Sequence, residues 1–278
     1  MRLPIIFGTA ASFAFALAVP HGGPSIHERS AAAAAPEVKS SHSNNIHQAR
    51  NAILPRAYNQ NQAGAVLLKP PTADDAFTSV TGTFTVPTIA VPRGGNAATK
   101  YSASIWLGIA NNKNQDAVLQ AGITMSLQRS QSTFYSWSGW TPDKSANFTT
   151  TEFAVKTGDS IKITITTTSA TQGTVVLENT TTSRKVTKTV AAPASLDPSA
   201  LTAQSVAAIV EGYQVNGGLP DLVDFTRVQF TKVAAGTTGG KSVGVTGSGI
   251  YEVQTTSGAV LTKTTVPGAD QVLVTFVK

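Results

Sequence analysis

The chain contains no cysteine. Disulfides are therefore excluded, and so are a thiolate-ligated metal and a Cys–His dyad. Histidine is almost as restricted. The four present, His21, His27, His42 and His47, all fall early in a chain of 278 residues. If the region up to about Arg56 is removed, no histidine remains, and a Ser-His-Asp triad and a His-ligated zinc go with it. Charge is sparse at 13%. From residue 57 onward there are nine Asp and four Glu (Glu152, Glu178, Glu211 and Glu252) against sixteen Lys and Arg, so the net charge falls from +6 to +3. Arg184, Lys185 and Lys188 form the one tight basic cluster, which reads as a solvated hairpin. No basic stripe with interleaved aromatics occurs, which argues against a nucleic-acid partner. Hydrolytic chemistry, if any, is left to carboxylates, amides, hydroxyls, lysine or an oxygen-bound metal.

Long apolar runs are missing too. Leu3 to Ala18 comes nearest, broken by Pro4, Gly8, Thr9 and Ser12. It is short for a membrane span. With Arg2 before it and Ala16-Leu17-Ala18 at its end, it reads as a secretory signal over residues 1–18. Residues 19–56, with an alanine run and few large apolar side chains, read as a pro-segment that is disordered or removed. Residues 57–278 form the predicted single domain, secreted and extracellular, with no membrane partner once the signal is gone.

What is abundant is threonine, valine and turn residues. From residue 63 short alternating runs are divided by Pro70-Pro71, Pro87, Pro142 and Gly158-Asp159. Ile161, Ile163 and Ile165 alternate with Lys162, Thr164 and Thr166. "GTVVLENTTTSRKVTKTV" reads as a hairpin around Thr181 to Arg184. Only "LTAQSVAAIVEGYQ" is ambiguous, and its β-branched residues lean it to strand. The pattern predicts an all-β sandwich of two large antiparallel sheets. The sequons at Asn147 and Asn179 each sit beside a predicted turn, where glycosylation is feasible.

Within "AVLQAGITM", Val118, Gln120, Gly122 and Thr124 share one strand face, while Leu119, Ala121, Ile123 and Met125 share the other. The second set is core. A half-buried glutamine needs partners or costs about 1–3 kcal/mol. Gln120 therefore either bonds a neighbouring loop or faces a cleft and handles a substrate. Trp106, Trp137 and Trp140 lie on the flanking segments, where indoles line peptide or sugar grooves or else fill the core.

"SIWLGIANNKNQDAVLQAG", "FYSWSGWTPD" and "AAIVEGY", in that order, resemble the glutamic peptidases of filamentous fungi, the eqolisins. "FTSVTGTFTVP" and "TGDSIKITIT" fit the same family, and the resemblance spans residues 60 to 278. It implies a concanavalin-like β-sandwich and an acid-acting endopeptidase with Gln120 and Glu211 as the catalytic pair. Trp106, Trp137 and Trp140 become substrate-binding candidates. The same resemblance implies secretion with a removable pro-segment and no metal; a monomer acting on polypeptides without a cofactor is expected. The chemistry is coherent: a glutamate takes the water's proton and passes it to the leaving nitrogen, while a glutamine amide donates to the oxyanion. No Lys or Arg lies within ten residues of Glu211, and Ile209 and Tyr213 share its strand face. Such a setting raises a carboxyl pKa.

Several positions depart from the family. Ala110 and Gly139 stand where acids are usual, Ala208 where an aromatic is usual, and Gln62 where tryptophan is usual. These departures leave room for a weakly active or inactive lectin-like binding module on the same sandwich. A metal-dependent lectin would need clustered oxygen ligands, for which Asp221 and Asp224 near Asn216 are the only hint. A glycoside hydrolase would need two facing carboxylates, and the alternating E-x-D-x-E strand is absent.

Overall fold

The computed structural model describes residues 56–111, 117–141, 145–192, 194, 203–212 and 221–277. Among them the regular structure is strand alone. The strands are β1 (Arg56–Asn59), β2 (Gln62–Leu67), β3 (Phe77–Thr85), β4 (Tyr101–Asn111), β5 (Val118–Gln128), β6 (Gln131–Thr141), β7 (Ala146–Asn147), β8 (Ser160–Ser169), β9 (Gln172–Asn179), β10 (Arg184–Ala191), β11 (Ala203–Glu211), β12 (Arg227–Thr237), β13 (Ser242–Val243), β14 (Gly249–Val253), β15 (Thr262–Gly268) and β16 (Gln271–Phe276). They form two sheets. The first runs β1-β14-β2-β11-β4-β5-β6-β7 and the second β10-β9-β8-β3-β12-β16-β15, with β13 paired to β12. The pairing is antiparallel except between β1 and β14. This is the two-sheet sandwich that the strand pattern predicts.

Period-two alternation decides what lies between the sheets. Ile105, Leu107 and Ile109 of β4 and Leu119, Ala121 and Ile123 of β5 are fully buried, as are Ile161, Ile163 and Ile165 of β8 across from them. Each such aliphatic contributes about 1.5–3 kcal/mol by leaving water. Lys162, Thr164 and Thr166 face outward, as their alternation requires. The β9–β10 hairpin turns through Thr180–Ser183, where Ser183 takes a positive φ of 57°. The basic cluster there is solvated, with Lys185 paired to Glu178.

The ambiguous segment is β11. Val206, Ala208 and Val210 enter the main core, while Ala207 and Ile209 join a second cluster on the opposite face with Trp106, Trp137 and Tyr251. Apolar on both faces, the strand shows no alternation to read.

Arg56 lies inside β1, so a domain boundary drawn between residues 56 and 57 cuts this strand. Its guanidinium pairs with Glu252, whose side chain is buried in β14 and also accepts the Thr264 N–H at 2.9 Å. Removing the cation would strand a buried carboxylate. Arg56→Ala is therefore expected to lower stability by about 3 kcal/mol, the low end for breaking a buried pair because Arg56 is part-exposed. The denaturant midpoint reads this, and an unchanged midpoint would show that the pair contributes nothing.

Candidate active site

Gln120 and Glu211 emerge on the same outer face of the first sheet, away from the core between the sheets. On β4 that face includes Ser104, Trp106, Gly108 and Ala110. β5 pairs Gln120 with Gly108 on one side of β4, and β11 pairs Glu211 with Ser104 on the other. The two are thus offset by four positions along β4, with Trp106 between them. The indole spans that offset. Its Nε1–H donates to Glu211 Oε2 at 2.9 Å. Its far edge lies over Gly108, where a Cβ would come within 2.9 Å of Cζ3. Gly108 is thus a close-approach glycine: a side chain there would lift the indole.

Across the same face Trp137 packs over Gly122, whose Cβ would meet Trp137 Cζ2 at 3.0 Å. Trp137 Nε1–H donates to Thr124 Oγ1 at 2.9 Å, and Thr124 hydrogen-bonds Ser104 at 2.7 Å. The two indoles are therefore anchored by hydrogen bonds; they are 1% and 6% exposed and share this outer face with Glu211 and Gln120.

The electrostatics follow from the sequence of the five central strands, β2, β11, β4, β5 and β6. Together they hold one Asp, Glu, Lys or Arg, and it is Glu211. No cation faces it from these strands. Burial pushes its pKa above the ordinary carboxyl value, opposed by the neutral N–H donors of Trp106 and Gln62. Asn61 Nδ2 and Gln62 Nε2 donate to Oε1 at 3.2 and 3.4 Å. Gln120 is half-buried, and its side chain makes no hydrogen bond to any described residue. Of its two readings, the loop partner is not found among the described residues.

Not every candidate belongs here. Trp106 and Trp137 share the outer face, but Trp140 does not. It pairs with Leu119, is 2% exposed within the main core, and donates its Nε1–H to the Val190 carbonyl. Its role is packing between the sheets, which corrects its assignment to substrate binding. Asn179 is likewise turned inward. It is fully buried, its Nδ2 donates to Asp159 at 2.8 Å, and its Oδ1 accepts the N–H groups of Thr181 and Thr182. It caps a turn and offers no amide to a glycan, whereas Asn147 is exposed. Asp224 caps a turn through the Thr226 N–H, while Tyr213 and Asn216 lie outside the described residues.

Two departures lie on the strands around Gln120. Ala110 is buried beside Val118. Gly139 faces Gln120 directly, and the backbone at Ser145 lies 2.7 Å from where its Cβ would be. Ser145 thus fills the place a longer side chain at position 139 would need. A separate cleft of about 610 Å³ is lined by Thr83, Ser160, Arg227 and Gln229 among others, none of them in the first sheet.

The structure is thus an all-β sandwich whose first sheet carries a shielded carboxyl, Glu211, and a glutamine, Gln120, on one outer face beside two indoles. The family model described as "Peptidase A4 family" matches residues 60–276, and the chain belongs to that family. It is 33% identical to aspergillopepsin-2 of Aspergillus niger over 241 residues, covering 82% of this chain and 81% of that protein. Scytalido-glutamic peptidase, solved with a peptide-based transition-state analogue, is similar at 27% identity and a TM-score of 0.63, over 78% of this chain and 98% of the other. The aspergilloglutamic peptidase of Aspergillus niger aligns at 33% identity and a TM-score of 0.57, over 64% and 99%. The chain is thus a glutamic endopeptidase of the eqolisin type, and polypeptides are its substrates.

Proposed function

We propose that the protein is a secreted, acid-acting endopeptidase in which Glu211 and Gln120 carry the chemistry. The observation behind this reading is the pairing of the single charged residue of the five central strands with an amide whose side chain has no partner among the described residues, one on each side of the Trp106 indole. Burial keeps the proton on Glu211 in acid. Its protonated oxygen then donates to the scissile carbonyl while its other oxygen accepts a proton from the attacking water. The carbon–oxygen bond forms, the carbonyl π bond opens, and Glu211 remains neutral. The Gln120 N–H groups steady the oxygen on which charge develops, and its carbonyl holds the water. In the second step Glu211 protonates the leaving nitrogen and recovers a proton from a hydroxyl of the intermediate. The C–N bond then breaks to an acid and an amine.

A glutamate that begins as a base would have to be ionised at the start. The raised pKa favours a carboxylic acid that both gives and takes, because an ionised Glu211 would be scarce at acid pH. Trp106 and Trp137 supply the apolar floor for the substrate chain. Residues 1–18 serve as the secretory signal and the segment after them as a pro-segment. Arg56 is retained in the mature protein because Glu252 requires it, which N-terminal sequencing of the secreted form reads directly. Asn147 is the sequon open to a glycan.

Incubating the mature protein with a denatured protein from pH 2 to 7 tests the reading. Internal cleavage is expected to be maximal in acid and to decline as pH rises through the Glu211 pKa, with a metal chelator having no effect. Activity that rises towards neutrality, or that the chelator abolishes, would overturn it.

A further inference from the structure

We infer that Gln62 is a positioning residue for Glu211, holding the carboxyl in its working orientation from the side opposite Trp106. The inference rests on the proposed catalytic pair. Register puts Gln62 directly across from Glu211, at the start of β2. Its Nε2 lies 3.4 Å from Oε1, and the Asn61 Nδ2 lies 3.2 Å from the same oxygen. Oε2 is taken by Trp106. Donors on both oxygens fix the plane of the carboxyl, which a single partner would leave free to rotate.

The turn carrying these amides is itself locked. Asn59 Oδ1 accepts the N–H groups of Asn61 at 2.9 Å and Gln62 at 2.6 Å, and its Nδ2 donates to the Gln62 carbonyl at 2.7 Å. The Asn61 carbonyl accepts the Gly212 N–H at 2.8 Å, tying the turn to the residue after Glu211. The Asn59 carbonyl accepts the Gln254 N–H at 2.7 Å from the far side. A turn bonded on three sides around one carboxyl is a support for that carboxyl, not a passive connection between β1 and β2.

An amide also suits a group that exchanges protons. It donates through nitrogen to the ionised carboxyl and, turned over, accepts through oxygen from the protonated one. An indole at this place could only donate. No charged side chain on β2, β4 or β11 competes with it. Among the described residues the titratable groups nearby are the Tyr251 phenol, on β14 alongside β2, and the exposed Asp221, whose carbonyl accepts the Ser102 N–H of β4.

The test is the pH dependence of kcat/KM for Gln62→Met, which keeps the bulk and removes the donor. The limb governed by Glu211 should move to higher pH by about half to one unit, with KM little changed, because a hydrogen bond to the ionised form is lost. Gln62→Glu should move the limb further the same way, since two carboxyls there would share a proton. A uniform loss of rate with the profile in place, in both variants, would overturn the positioning role. If Glu211→Gln is inactive while both Gln62 variants keep the native profile, only the inference about Gln62 fails. If Glu211→Gln is fully active, the catalytic pair fails first.

Discussion

Replacing Glu211 with glutamine is expected to lower kcat about 10³- to 10⁴-fold at acid pH, the upper part of what a positioned acid–base group supplies. The effect is large because one carboxyl moves every proton in both steps. The five central strands contain no second acid to take over. KM should change little, since the amide keeps the shape and can still bond the surrounding groups. Stability provides the folding control, and its sign is fixed by the direction of the pKa shift. A carboxyl whose pKa is raised in the folded state favours folding while protonated and weighs against it once ionised. The variant should therefore match the parent in Tm below the unfolded carboxyl value. It should exceed the parent as pH rises through the raised folded value. An inactive variant with this stability profile is folded and has lost chemistry alone. Full activity in the variant would show that Glu211 is no catalyst.

Gln120→Met is expected to cost about 10²- to 10³-fold in kcat, the range for losing one preorganised donor to a developing oxyanion. Gly108 and Gly139 flank Gln120 without side chains, and the Gln120 side chain bonds no described residue. The substitution therefore breaks no native hydrogen bond among the described residues, and stability should hold within about 0.5 kcal/mol. Loss of rate without loss of stability separates a catalytic amide from a structural one. A variant that is destabilised but equally fast per folded molecule would return Gln120 to the structural reading.

Much of this was legible because period two is strict. The alternation through β5 put Gln120 on one face and Leu119, Ala121 and Ile123 on the other, and the structure keeps that division. The same rule, applied to spacing, would have separated Trp137 from Trp140. Three positions apart, they face opposite ways, and only the first lies on the outer face. Asn179 follows Val175 and Leu177 at steps of two, so its inward direction was also present in the pattern, hidden by the expectation that a sequon lies outside. What could not be read was any relation requiring long-range register. The contact between Gln62 and Glu211 joins residues 149 positions apart through the β2–β11 pairing. The Arg56–Glu252 pair spans 196. Local sequence carries no signal for either.

Coupling between Gln120 and Glu211 is the most direct measure of whether they work as one site. Kinetics of Gln120→Met, Glu211→Gln and the combined variant close a double-mutant cycle. Because the amide acts only on an intermediate that the carboxyl helps to create, the combined variant should be about as slow as Glu211→Gln alone. If the two losses instead multiply in full, the residues act independently, and the shared-site account is wrong.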